Sequence, residues 1–419
     1  MTAADTNRAI DAIWRIESAK VIAAVARATG DLGLAEDAAQ EACIAAIESW
    51  PQNGVPDRPG AWLTATAKNR AIDTLRRRST LESKQEAIEH EAKMDFDPSD
   101  DDLAAALNED IDDDLLRLIF TTCHPVLSTD SRVALTLRLL GGLTTGEIAR
   151  AFLAKESAVG QRISRAKRTL AEANVPFEVP GTDDIGPRLK SVLEVIYLIF
   201  NEGYAATAGQ DWLRPELCAD AMRLGRILAG LVPDEPETHG LVALMELQAS
   251  RVRARTDKRG EPILLLDQDR ARWDWLLIEH GLNELRRAQA LGGGLLPYTL
   301  QAALAACHAE ARTPEATNWE RIVALYDALA QLNPSPVIEL NRAVAVGMAY
   351  GPDAGLELVD RLLGEKSLKS YHLLPSVRGN LLEKLGRLDE ARTEYELAAS
   401  LTQNERERKL LYERAAALD

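Results

Sequence analysis

The chain has 419 residues, 46% hydrophobic and 27% charged, with a formal net charge of −16. That length suits two to four domains, and the balance excludes a fibrous or wholly disordered chain. An acidic total argues against nucleic acid, yet the charge is segregated. Residues 95–114 carry ten acids and no base, whereas 147–170 carry six Lys or Arg against two acids. Screening at physiological salt limits electrostatic reach to about 8 Å, so the local charge decides binding.

In chain order, 7–29 reads as a helix with an apolar stripe of Ile10, Ile13, Trp14, Ile16 and Val21. A second helix is predicted over 34–50, a Pro/Gly loop over 51–59 and a third helix over 61–78. Residues 79–111 are polar and acidic, and read as a self-repelling linker. Helices resume at 112–127, 131–140, 145–152 and 157–172. A second break falls at 175–187. Residues 187–292 form a helical middle domain, with core helices at 192–200, 218–231 and 238–256. Gly292, Gly293 and Gly294 punctuate the chain, and 295–419 reads as helix pairs. The last pair carries Gly379, Leu382, Gly386, Ala391, Tyr395 and Ala398 at tetratricopeptide spacing, where small residues let two helices approach closely. Tyr326, Leu329 and Pro334 resemble the end of an earlier unit. The predicted fold class is all-α.

Cys43, Cys123, Cys218 and Cys307 form no CxxC and no zinc-spaced Cys/His cluster, so they are expected as reduced, packed thiols with no metal or cofactor. The adjacent Cys123 and His124 read as a helix end. The N-terminus lacks a signal-peptide pattern. The apolar run 192–200 is interrupted by Glu194 and is too short to span a bilayer. The expected location is cytoplasmic.

Two segments carry the chemistry. In AWLTATAKNRAIDTLRRR, Leu63, Ala67, Ala71 and Leu75 fall at i+4 steps with Ile72 beside them, giving one apolar face. Asn69, Asp73, Arg76 and Arg77 fall on another, flanked by Lys68. Asn and Arg can bond base edges, and Arg and Lys hold phosphates. A solvated basic helix end explains the same residues, since bases favour helix C-termini. In LTTGEIARAFLAKESAVGQRISRAKRTL, Thr144 or Thr145 can cap a helix carrying Ile148, Ala149 and Phe152 inward. After a turn at 153–156, Val159, Ile163, Ala166 and Leu170 line one face of the next helix. Ser157, Gln161, Arg162, Arg165 and Arg168 line the other, which suits a major groove.

The order AEDAAQEA…W…AWLTATAKNRAIDTLRRR resembles the region-two domain of bacterial sigma factors of the extracytoplasmic-function group. The later segment resembles their region-four helix-turn-helix. The resemblance divides the chain into region two (1–78), linker (79–111) and region four (112–174), followed by the helical extension. It implies that Asp37, Gln40, Glu41 and Glu48 face the clamp of the RNA polymerase β′ subunit. By the same resemblance Lys68, Asn69, Arg70, Asp73, Arg76, Arg77 and Arg78 read the −10 element, and the loop 51–59 holds a flipped base. Lys155, Ser157, Ala158, Gln161, Arg162, Arg165 and Arg168 would lie against the −35 element. The chain departs from the pattern at Gly160 and in the turn Leu153-Ala154-Lys155, where Gly is common in the family.

The partners implied are core polymerase (β′ clamp and β subunits) and promoter DNA, with a protein or intramolecular contact for the repeats. The whole sequence is similar to the subgroup with a tetratricopeptide-like C-terminal extension. The extension contains no HExxH, GxSxG, Walker loop or Cys/His pair suited to catalysis, so no enzyme is expected. Asn201-Glu202-Gly203 reads as a helix end with Gly past it. Trp273 and Trp275 read as packing beside Arg270 and Arg272. The alternative is a conventional helix-turn-helix regulator with a ligand-sensing helical tail. Such a regulator has no use for the acidic-then-basic helix pair upstream. The acidic stretch 95–114 reads as a solvated spacer or a nucleic-acid mimic.

Overall fold

A computed structural model describes residues 3–85, 111–152, 154–181, 184–205 and 213–418. The chain divides into two units, Met1–Val195 and Ile196–Asp419. Among the described residues the regular elements are helices, as the sequence predicts, with one isolated bridge between Thr256 and Pro262. None of these helices is long and apolar enough to cross a membrane.

The first unit opens with three long helices, α1 (Ala3–Thr29), α2 (Leu32–Asn53) and α3 (Pro59–Gln85). Ala35, Ala38, Ala39, Ala42 and Ala46 of α2 and Ala67 and Ala71 of α3 are buried, as are Val21, Ile22 and Val25 of α1. Alanine favours helix and adds little bulk at a helix contact. Asp31 caps α2, its carboxylate accepting from the N–H groups of Gly33 and Leu34.

The loop expected at 51–59 is shorter. Pro51 is accommodated in the last turn of α2, and the N–H of Gly54 closes that helix on the carbonyl of Trp50 at 2.9 Å. Trp50 and Trp62 meet edge to face at 5.3 Å across the turn. Helix α3 runs past Arg78 to Gln85, because the intervening Ser-Thr-Leu-Glu-Ser-Lys holds no helix breaker.

Four helices follow: α4 (Ile111–Thr122), α5 (Thr129–Leu139), α6 (Thr145–Ala151) and α7 (Glu156–Glu172). Helix α4 stops short of the expected residue 127, since Pro125 disfavours helix at His124. Leu118, Phe120, Leu135, Leu137 and Leu139 are fully buried in this part. The start of α8 (Ile185–Tyr204) is tied to it: Ser191 donates to the carbonyl of Cys123 at 2.7 Å and Arg188 to that of Phe120 at 2.7 Å. The unit boundary falls inside α8.

The second unit contains α9 (Pro215–Leu231), α10 (Pro236–Ala249), α11 (Trp275–Ala288), α12 (Pro297–Glu310), α13 (Trp319–Leu332), α14 (Pro336–Tyr350), α15 (Pro352–Leu362), α16 (Leu373–Lys384), α17 (Leu388–Leu401) and α18 (Glu405–Ala416). Proline opens several of them, where its missing N–H costs nothing. The helix expected over 238–256 ends at Ala249 and gives way to short 3-10 turns. Gly203 does not stand past a helix end as expected. It lies inside α8, where a Cβ would be 2.7 Å from the backbone nitrogen of Cys218, so its role is close approach. Trp273 is buried under the Arg270 guanidinium, 4.6 Å from the ring centre, which fits packing, whereas Trp275 at the start of α11 is 50% exposed and does not. In the last pair read from sequence, a Cβ at Gly379 would stand 3.0 Å from the buried Tyr395 ring. Asp211 and Trp212 lie outside the described residues.

Candidate nucleic-acid interface

Helix α3 builds one basic surface. Its buried stripe of Leu63, Ala67 and Ala71 ends there: Ile72 is 45% and Leu75 39% exposed, although the i+4 pattern had placed them inward. The later turns of α3 therefore stand clear of the three-helix core, and Asn69, Arg70, Asp73, Arg76 and Arg77 are exposed along them. Arg70 lies 3.9 Å from Glu41 of α2. Lys68 is half-buried instead. Burial first, then repulsion from Arg27, lowers its pKa against the pull of Asp114. The side chain of Arg78 lies outside the described residues.

Helices α6 and α7 build the other. Thr144 and Glu147 form a reciprocal capping box, the N–H of Glu147 donating to the Thr144 hydroxyl at 3.2 Å and the N–H of Thr144 to the Glu147 carboxylate at 2.7 Å. Val159, Ile163, Ala166 and Leu170 are buried along one face of α7. Lys155, Ser157, Ala158, Gln161, Arg165 and Arg168 are exposed on the other, while Arg162 is partly covered, 3.5 Å from Asp130. Helix α7 continues through Gly160, and Leu153 of the turn lies outside the described residues.

Helix α2 presents Asp37, Glu41 and Glu48 to solvent. Ile44 and Ile47, 55% and 48% exposed, interleave with them at helical spacing, so the acidic face carries an apolar strip. Gln40 turns partly inward and donates its amide to Glu36 at 2.8 Å. Glu36 is buried, yet it meets two cations: Arg138 Nε of α5 at 2.6 Å and the ammonium of Lys167 of α7. Burial alone would raise its pKa; Lys167 and then Arg138 outweigh that and hold the carboxyl below the usual range.

A family model of sigma-70 region 2 matches residues 15–80, and one of sigma-70 region 4 matches 117–170. Residues 188–289 match a family of unknown function, DUF6596. A protein of Rhizobium meliloti, described as uncharacterized protein R00370, is 45% identical over 390 residues, covering 92% of this chain and 90% of that one. The probable ECF RNA polymerase sigma factor SigI of Mycobacterium tuberculosis is 28% identical over 170 residues, 41% of this chain and 57% of that one.

The chain belongs to the sigma-70 family.

It is an RNA polymerase sigma factor, directing transcription initiation, with a large helical C-terminal extension. Sigma factors of these families are not enzymes, and their partners are core RNA polymerase and promoter DNA. Read as a sigma factor, the chain carries three features that sequence reasoning missed. Ile44 and Ile47 fit an i, i+3 apolar pattern, but so do many core residues. Glu36 is one of three acids at 36, 37 and 41, and its inward turn depends on Arg138 and Lys167, both more than 100 residues away in sequence. Asp113 and Asp114, the end of the acidic stretch, belong to α4, where buried Asp114 pairs with Arg117 at 2.9 Å and Arg27 at 3.5 Å. Residues 95–110 of that stretch lie outside the described residues.

Proposed function

We propose that this sigma factor reads a bipartite promoter with the end of α3 at the −10 element and the exposed face of α7 at the −35 element. The observation that carries this reading is the pair of exposed Arg-rich faces, each backed by a packed apolar face. Asn69, Arg70, Asp73, Arg76, Arg77 and Arg78 supply base and phosphate contacts at the first element. Lys68, half-buried, supplies positive potential from beneath. Lys155, Ser157, Ala158, Gln161, Arg162, Arg165 and Arg168 contact the second.

Asp37, Glu41 and Glu48, with Ile44 and Ile47 between them, dock on the β′ clamp. An apolar strip rimmed by acids suits a partner helix with apolar and basic residues. The work is cytoplasmic, where core polymerase acts. The C-terminal extension regulates or supports this core, and its helix pairs follow the tetratricopeptide plan.

The packing of α7 onto α2 through Glu36 is a resting state. Elements named −35 and −10 lie about 25 base pairs, or about 85 Å, apart on the duplex. Glu36 ties α7 directly to α2, whose neighbour α3 carries the other reading face, so both faces stay within one compact unit much smaller than that span. The Glu36 contact must therefore open when both elements are bound.

The test is reconstitution with core polymerase and promoter DNA, scored for strand opening. Arg76→Ala with Arg77→Ala should abolish opening and leave polymerase binding intact. Glu41→Ala with Ile44→Ala should weaken polymerase binding first, with opening restored at high polymerase concentration. The same defect from both pairs would refute the division of roles. Deleting 205–419 should change promoter-dependent initiation; unchanged initiation would remove the regulatory role.

A further inference from the structure

Within the second unit, a cavity of about 630 Å³ opens between the end of α8, α10, α12, α13 and α14. That volume is in the range of small-molecule sites. Its wall contains no Asp, Glu or Lys, although the chain is strongly acidic. Its charged member is Arg251, itself only 9% exposed. No carboxylate pairs with this guanidinium among the described residues, and its Nε has no hydrogen-bond partner. The ring of Tyr204 lies 6.0 Å away, at the outer limit of a cation–π contact.

The surroundings add positive potential instead of cancelling it. Arg255 and Arg270 both titrate lower than usual, through burial first and also repulsion from Arg251, against the pull of Tyr204 on Arg255 and of Glu315 on Arg270. His308, on the cavity wall, is pushed down to about 4 by burial, then by Arg251 and Arg270, and so is neutral near pH 7. The rest of the wall is aromatic and amide. Tyr197, Trp319 and Tyr326 provide flat apolar faces; Gln248, Gln301 and Asn341 provide donors and acceptors without charge.

We propose that this cavity binds a small organic anion, with its carboxylate or phosphate against Arg251 and its flat body among Tyr197, Trp319 and Tyr326. A buried guanidinium with no internal acid is suited to bidentate pairing with an incoming carboxylate or phosphate. The amides then orient the body through neutral hydrogen bonds. Binding here is independent of the promoter reading, and stands or falls on its own experiment.

The full-length chain is titrated with 1-anilinonaphthalene-8-sulfonate, an aromatic anion that fluoresces in apolar sites. The bound dye is then displaced by benzoate, phenyl phosphate or neutral benzyl alcohol. The expected result is saturable binding displaced by at least one of the two acids at a concentration at least tenfold below that of benzyl alcohol. Whichever acid is stronger identifies the anionic group. Arg251→Gln should erase the preference for the acid and leave displacement by benzyl alcohol unchanged. Equal displacement by all three compounds, no saturable dye binding, or a preference that survives Arg251→Gln would overturn the proposal. If Arg251→Gln does not fold, as judged by circular dichroism, the acid-against-alcohol comparison on the unaltered chain decides alone.

Discussion

In the first unit the buried carboxylate of Glu36 meets Arg138 and Lys167, whereas in the second the buried guanidinium of Arg251 meets no acid among the described residues. Both charges have lost most of their water. A buried charge without a partner is costly, so the two sites imply different uses. The first is closed by the chain itself and holds two helical parts of one unit together. The second is left open toward a cavity and is complete only when something else arrives.

Removing the partner of a closed site should do the most damage. Glu36→Gln leaves two cations without a counter-charge, and loss of one member of a buried pair costs about 3–5 kcal/mol. Hydrogen exchange of α2, α5 and α7 should accelerate by about two to three orders of magnitude. Exchange unchanged in those helices would mean that the contact is not a closed site. Lys167→Gln should cost less, about 1–3 kcal/mol, since Arg138 remains. Because opening is required on DNA, the same variant should form open complexes at several-fold lower polymerase concentration. An unchanged concentration dependence would separate the Glu36 contact from any resting state.

Much of the first unit was legible because its signals are local. The buried faces of α3 and α7 follow helical periodicity, and the Thr144–Glu147 capping box is written in four residues. The periodicity failed at Ile72 and Leu75, because an apolar residue at i+4 is buried only while the helix has a neighbour. The second unit was legible at Gly379 and Tyr395, where a small residue faces a large one across a helix pair. Neither buried charge could be read in this way. Glu36 sits beside Asp37 with nothing local to distinguish them, and Arg251 was one of several arginines after an apolar helix. Burial of one charge among many is set by partners distant in sequence, or by their absence.

Acid should distinguish the two sites through different pH windows. Glu36 has a lowered pKa in the folded chain, so its contribution is full above the ordinary carboxylate value and is lost as pH falls through that range toward the folded value. His308 has a folded pKa of about 4 against the usual 6.5, so the unfolded chain takes up its proton first. Its cost therefore begins near pH 6.5 and grows to about 3 kcal/mol by pH 4. His308→Gln should flatten stability between those values, as followed by urea unfolding of the second unit. A slope that persists in the variant would place the acid sensitivity elsewhere.

The smallest expected effect is the most discriminating. Arg251→Gln removes a buried charge that pairs with no acid among the described residues, so stability should hold or rise slightly, in contrast to Glu36→Gln. The difference should emerge only with an anion present. At one hundred times its dissociation constant, a ligand specific to the folded state stabilises by about 2.7 kcal/mol. Benzoate or phenyl phosphate should therefore raise the melting temperature of the unaltered chain and leave that of the Arg251→Gln chain where it was. If Arg251→Gln instead costs as much as Glu36→Gln with no anion added, then Arg251 is completed within the protein, and the contrast between the two buried charges disappears.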